Sequence, residues 1–174
     1  MTIDIGATMA VPKVATSSQP EIQRTLRALS ATPRQIARVA RGRADRLLHR
    51  KPTPDVWSAR DILAHLRACA AVWGRCIDRM LTEDHPTIRY VSPRGWIKKT
   101  NYLQQSFDDL LRDFGKERGD LLETLGALDR VGWARGATVT GTTLGRSATV
   151  LSYARRISDH EIHHLDQFRR TLGT

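Results

Sequence analysis

Apolar residues in this chain recur at intervals of three and four, in four long stretches divided by connections marked by prolines and glycines. That period belongs to helices with one buried stripe. From Pro20 the stripe runs through Ile22, Leu26 and Leu29, is interrupted at Ala31-Thr32-Pro33, and resumes through Ile36, Val39, Ala40, Ala44, Leu47 and Leu48. Thr32 before Pro33 reads as an N-cap followed by proline at the first helical position. Gly42 weakens the second piece but need not break it. Ser58 and Asp61 make a capping box ahead of Ile62, Leu63, Leu66, Cys69, Ala70, Trp73, Ile77 and Met80. A further helix is expected from about Tyr102 to Leu128, with Leu103, Phe107, Leu110, Leu111, Phe114, Leu121, Leu122 and Leu125 inward. Gly115 and Gly119 would kink it or permit close packing. The last helix is expected to be capped by Ser147 and to bury Val150, Leu151, Ala154, Ile157, Ile162, Leu165, Phe168 and Leu172. Four such stretches with two long crossings point to an all-α four-helix bundle with long crossover connections.

The two crossings differ. Thr82 to Thr100 is polar, holds Pro86 and Pro93-Arg94-Gly95-Trp96, and is long for a compact domain, which fits a lid or a site wall. Asp129 to Arg146 carries Gly132, Gly136, Gly141 and Gly145, and residues 137–144 fit either a small hairpin or a loop. At 174 residues the expectation is a single domain, 20–174, behind a flexible tail, 1–19.

The net charge of +10 comes from 28 basic residues, only five of them lysine. The arginines are spread from Arg24 to Arg170 without a basic run, so the charge licenses nonspecific attraction but does not argue for a dedicated nucleic-acid partner. Cys69 and Cys76 sit seven residues apart in one expected helix, about 10 Å along its axis, beyond the roughly 7 Å that a disulfide spans. Free thiols fit a reducing cytoplasm. Residues 1–19 lack the pattern of a signal peptide, and no apolar run is long enough to span a bilayer. The expected location is therefore cytoplasmic, with no membrane partner.

Three of the six histidines fall within 160–164. His160 and His164 are one turn apart on one helix face, shared with Tyr153, Ile157 and Gln167, close to the apolar stripe. His65 lies between Ile62, Leu66 and Cys69 on the inner side of its own helix. Three inward imidazoles need partners, and a divalent ion supplies them, neutral imidazole being a good ligand. His163 stands as the alternative to His164, since i,i+3 also shares a face, although it more readily points outward. His49 and His85 read as surface residues. Cys69 reads as packed core or a weak extra ligand, and Asp61 as a cap or a hydrogen-bond partner for His65. His160-Glu161-Ile162-His163-His164 matches H-E-x-x-H literally, but only ten residues follow His164, too few for the usual distant third ligand, and the H-x-x-G-x-x-H extension is absent.

The block Trp57-Ser58-Ala59-Arg60-Asp61-Ile62-Leu63-Ala64-His65-Leu66, the helical pattern, and the pair His160 and His164 followed by Gln167 resemble the DinB/YfiT-like superfamily over roughly residues 20–172. The resemblance implies a four-helix bundle with a three-histidine metal site, here His65, His160 and His164. It also implies a choice of chemistries: transfer dependent on a low-molecular-weight thiol such as mycothiol or bacillithiol, isomerisation of maleylpyruvate, or metal-dependent hydrolysis.

The expected cofactor is thus a divalent metal ion, zinc first and nickel next. The expected function is a metal-dependent thiol S-transferase or hydrolase acting on a small molecule. The alternatives are a non-catalytic stress-response bundle with a structural metal and a basic nucleic-acid-binding protein. A homodimer is the expected assembly, from the pairing of helix faces among similar bundles. Arg89, Arg94, Lys98 and Lys99 in the 82–100 connection are candidates for attracting an anionic substrate.

Overall fold

The computed structural model describes residues 19–141 and 147–173. Residues 1–18, which include nearly all of the expected tail, lie outside the described residues, as do 142–146 and Thr174. Four long helices make the bundle: α1 (Gln19–Ala40), α3 (Ala59–Thr82), α5 (Phe107–Gly126) and α7 (Val150–Thr171). Three short helices intervene: α2 (Asp45–His49), α4 (Pro93–Ile97) and α6 (Arg130–Ala134). Helices α1 and α3 each pack on both α5 and α7, so α1 faces α3, and α5 faces α7, across the diagonals of the bundle. No helix among the described residues is long and apolar enough to cross a membrane.

The boundaries are set by caps and packing. Helix α1 runs straight through Pro33, where an interruption was expected. Proline there removes one backbone bond, but Leu29 and Ile36 on either side are fully buried, and the packing outweighs that loss. The break falls instead at Gly42, whose φ of 72° turns the chain out of the helix after Ala40 and separates off α2. Arg43 secures the turn, donating from Nε to the Val39 carbonyl and from Nη1 to the Leu172 carbonyl, both at 2.9 Å. Helix α3 opens on the expected capping box of Ser58 and Asp61. Helix α5 starts later than expected: Tyr102–Gln104 form a 3₁₀ turn, Leu103 is exposed, and Ser106 caps the helix through its hydroxyl. Gly115 and Gly119 lie within the continuous helix α5, and a Cβ at either would meet nothing within 4 Å. Helix α7 is capped by Thr149 with Ser152, not by Ser147, and Ile162 points outward.

Both crossings carry strands. β1 (Thr87–Arg89) pairs in parallel with β2 (Gly136–Thr140), and β2 pairs antiparallel with β3 (Ser147–Thr149), in the order β1-β2-β3. Of residues 137–144, for which a hairpin or a loop is expected, 137–140 belong to β2 of this three-stranded sheet, and 142–144 lie outside the described residues. Gly136 permits the β2–β3 contact, since a Cβ there would lie 2.8 Å from the Ala148 carbonyl oxygen. Parallel pairing joins the two crossings and ties the 82–100 segment to the end of the bundle.

The core is in two parts. One cluster gathers Ile22, Leu29, Val72, Trp73, Ile77, Leu125 and Ile157 at the sheet end. The other gathers Ile36, Ile62, Leu63, Leu66, Phe107, Phe114, Leu165 and Phe168 at the opposite end. Between them lie buried polar residues from every long helix: Thr32 on α1, His65 and Arg67 on α3, Arg118 on α5, and Ser158 and Glu161 on α7. Arg118 donates to Glu161 across the α5–α7 diagonal. Arg67 donates to Glu117 at 2.7 Å and to Gln105 at 2.7 Å and pairs with Asp113 at 3.0 Å.

Because removing one partner strands a buried charge, Arg118→Met alone should cost about 3–5 kcal/mol of stability. The double variant Arg118→Met with Glu161→Leu should recover most of that loss. Urea unfolding of wild type and both variants checks this; equal losses in the single and double variants would contradict the pairing.

Candidate metal centre

Helices α3 and α7 lie side by side and bring His65 opposite His160 and His164. His65 Nε2 and His160 Nε2 are 3.3 Å apart. Ring centroids lie at 4.4 Å for His160 and His164, 4.9 Å for His65 and His164, and 5.1 Å for His65 and His160. One ring nitrogen from each of the three falls within 4.8 Å of the others. The 3.3 Å separation is what two nitrogens adopt across a tetrahedral ion with bonds of about 2.0–2.1 Å. The donor set therefore fits a divalent metal ion.

Electrostatics favours the same use. Burial, reinforced by the His164 and Arg94 charges, lowers His65 to about 4. Burial, with His164, His65, His163 and Arg156 beside it, lowers His160 to about 3. Burial also lowers His164, against the hydrogen bond to Gln167. At neutral pH all three rings are thus uncharged with lone pairs available. Gln167 Oε1 accepts from His164 Nδ1 at 2.7 Å, which puts the proton on Nδ1 and leaves Nε2 bare. Gln167 lies on the face expected for it, but its part in orienting His164 becomes visible only here.

The neighbouring residues divide by face. Cys69 Sγ sits 3.5 Å from His65 Nε2 and 4.0 Å from His160 Nε2. It is 2 % exposed, and burial pushes its thiol up to about 12, so it is packed core that also touches the cluster. Asp61 serves as a cap, accepting from the Ser58 amide at 3.2 Å, and pairs with Lys51 and Arg60 rather than with His65. Glu161 turns away from the cluster, fully buried against Arg118; burial raises its carboxyl above the ordinary range while Arg118 pulls it down. The glutamate of the literal H-E-x-x-H match therefore stands on the wrong side of α7 to serve the histidines. His163 is exposed; His85 is exposed, and His49 is half-buried beside Asp45.

A cavity of about 340 Å³ opens directly on the three imidazoles. Trp57 packs beside His65, with ring centroids 4.8 Å apart, and stacks on His164 at 6.0 Å; Trp73 meets His160 edge-on at 5.0 Å. Tyr90, Ser92, Pro93 and Arg94 form the opposite wall, so the 82–100 connection does border the site. Of its four charged candidates only Arg94 lines this cavity; Arg89 faces a separate groove beside Arg75 and Trp96. Arg156 also lines it and was not singled out from the sequence, although its place one turn before His160 was a signal for it. Among the described residues, no carboxylate lines the cavity.

The sequence model of the DinB superfamily matches residues 7–168. Among solved structures, the fold is similar to that of "YfiT from Bacillus subtilis", described as "a probable metal-dependent hydrolase with an unusual four-helix bundle topology", with a TM-score of 0.70, 20% sequence identity and 90% of each chain covered. No curated protein sequence matches the chain.

Depressed imidazoles have a thermodynamic consequence. His65 and His160 ionise in the unfolded chain near 6.5 but in the native state only near 4 and 3. As pH falls below about 6.5 the unfolded state takes up protons first, so the stability these rings contribute is lost between about 6.5 and the native values of about 4 and 3. In chelated, metal-free protein, the urea midpoint should fall over that window, and His65→Gln should flatten the fall relative to wild type. Parallel curves for the two proteins would contradict it.

Proposed function

The chain belongs to the DinB superfamily, and on that premise we propose that it is a divalent-metal-dependent hydrolase of a small molecule, with His65, His160 and His164 as the metal ligands. The observation that carries this reading is the convergence of three uncharged ring nitrogens, from two separate helices, at the mouth of a cavity. When bound, such an ion supplies a Lewis acid and acidifies a water or thiol brought beside it. The remaining work falls to the chain. Burial keeps the rings neutral, Gln167 holds the His164 tautomer, and Trp57 and Trp73 fix the ring planes and exclude water from one side. A cavity of 340 Å³ is at the small end of the range for ligand sites, about 300–1,000 Å³, which suits a metabolite-sized substrate and not a polypeptide. Zinc is the first candidate and nickel the second, because a three-nitrogen set does not discriminate strongly between them. The description of YfiT as a probable metal-dependent hydrolase supports the same reaction class.

Wild-type protein loaded with zinc and then desalted should retain about one ion per chain by elemental analysis, and His65→Ala, His160→Ala and His164→Ala should each retain far less. Unchanged content in all three variants would overturn the ligand assignment; loss in His163→Ala in place of His164→Ala would move it by one residue.

Turnover should follow the metal. Hydrolysis of 4-nitrophenyl acetate should drop at least about 100-fold on chelation, return on adding zinc or nickel, and stay low in His160→Ala. Equal rates with and without metal would sink the hydrolase reading. A rate that appears only with an added low-molecular-weight thiol would assign the same site to S-transfer.

A further inference from the structure

We propose that Arg94 and Arg156 form an anion-binding subsite facing the three imidazoles, so that the substrate of this site carries a carboxylate or phosphate group. The inference names a substrate class for the metal-dependent reading above and rests on it only for the word substrate; the anion site itself stands on the geometry of the cavity.

Several of the chain's arginines are neutralised: Arg60, Arg67, Arg79, Arg112, Arg118, Arg155 and Arg169 each face a carboxylate. Arg94 and Arg156 do not: among the described residues, neither has an ion pair or a hydrogen bond, and both line the cavity that opens on His65, His160 and His164. They come from different walls. Arg94 stands on α4, whose first residue, Pro93, is buried and anchors the 82–100 connection. Arg156 stands on α7 one turn before His160.

The cavity is built to hold these charges in place rather than to cancel them. The Arg156 guanidinium lies over the Trp73 ring at 4.7 Å and near Tyr90 at 5.9 Å, a cation–π seat that holds the side chain at the wall and leaves its N–H edge free. Among the described residues no carboxylate lines the cavity to neutralise the pair, so the fixed charges that face it are positive. Both arginines sit close enough to the cluster for their charges to bear on it, Arg94 on His65 and Arg156 on His160. Two planar guanidinium groups on opposing walls match the paired oxygens of a carboxylate or phosphate, which each can bind in a forked arrangement. An anion gripped there would place the rest of a small molecule over the imidazoles.

The test uses the full chain, chelated so that binding is read without turnover, with tryptophan fluorescence as the signal because Trp57 and Trp73 line the cavity. The probes are phenyl phosphate and phthalate, with benzamide as the uncharged comparison. Saturable binding of at least one anion, at least about tenfold tighter than benzamide, is expected, and Arg94→Gln and Arg156→Gln should each weaken it about tenfold or more. Arg38→Gln removes the same charge from the exposed side of α1 outside the cavity and should change affinity less than twofold; circular dichroism confirms that all variants fold. Comparing the two anions decides between phosphate and carboxylate. No saturable anion binding, equal affinity for benzamide, or equal losses in Arg38→Gln would overturn the proposal. The two readings fail separately. Metal-dependent ester hydrolysis without anion selectivity removes only the subsite, whereas anion binding that needs Arg94 and Arg156 in a protein without metal-dependent turnover removes only the hydrolase.

Discussion

A layer of buried polar side chains divides the apolar interior of the bundle, and the geometry of the site follows from how that layer is held. Thr32, His65, Arg67, Arg118, Ser158 and Glu161 reach it from all four long helices, with apolar clusters above and below. A buried polar group without a partner costs free energy. The helices are therefore restricted to the register in which Arg118 meets Glu161 and Arg67 meets Glu117 and Asp113. Sliding α7 by one turn, about 5.4 Å, would separate the Arg118 pair and pull His160 away from His65 at the same time. The ion pair and the imidazole cluster thus lock the same degree of freedom.

Helix α7 serves two faces within five residues. Glu161 turns into the interior toward Arg118, while Arg156, His160 and His164, spaced one turn apart, line the cavity. This division explains why a literal metalloprotease pattern occurs here without the chemistry it usually signals: adjacent residues on a helix are separated by about 100°, and the carboxylate is already committed inside the protein. The same burial that makes His65 and His160 poor bases suits them to ligation, since it removes the proton that would compete for the lone pair.

The short strands matter through what they carry. Parallel pairing of β1 with β2 fixes the course of the 82–100 connection, so that Tyr90 to Arg94 stand over the imidazoles instead of trailing into solvent. The connection that reads from its length and prolines as a lid or a site wall therefore walls the cavity, and of its four charged candidates Arg94 alone lines it.

How much of this was readable beforehand depends on whether the cause is local. Four amphipathic stripes, the Ser58–Asp61 cap, and the inward lean of His65, His160 and His164 follow from spacing along single helices, so the bundle and the three histidines were legible in the residues themselves. Pro33 and Gly42 were weighed the wrong way round, because packing of Leu29 and Ile36 against other helices carries one across a local penalty while no such packing rescues the other. The sheet, the Arg118–Glu161 diagonal and the placing of Arg94 and Arg156 on one cavity join residues tens of positions apart, and no local period encodes them. Sequence determined which side chains face inward and what chemistry they offer; tertiary structure alone decided which of them meet, because distance in space is set by helix register and strand pairing and not by position along the chain.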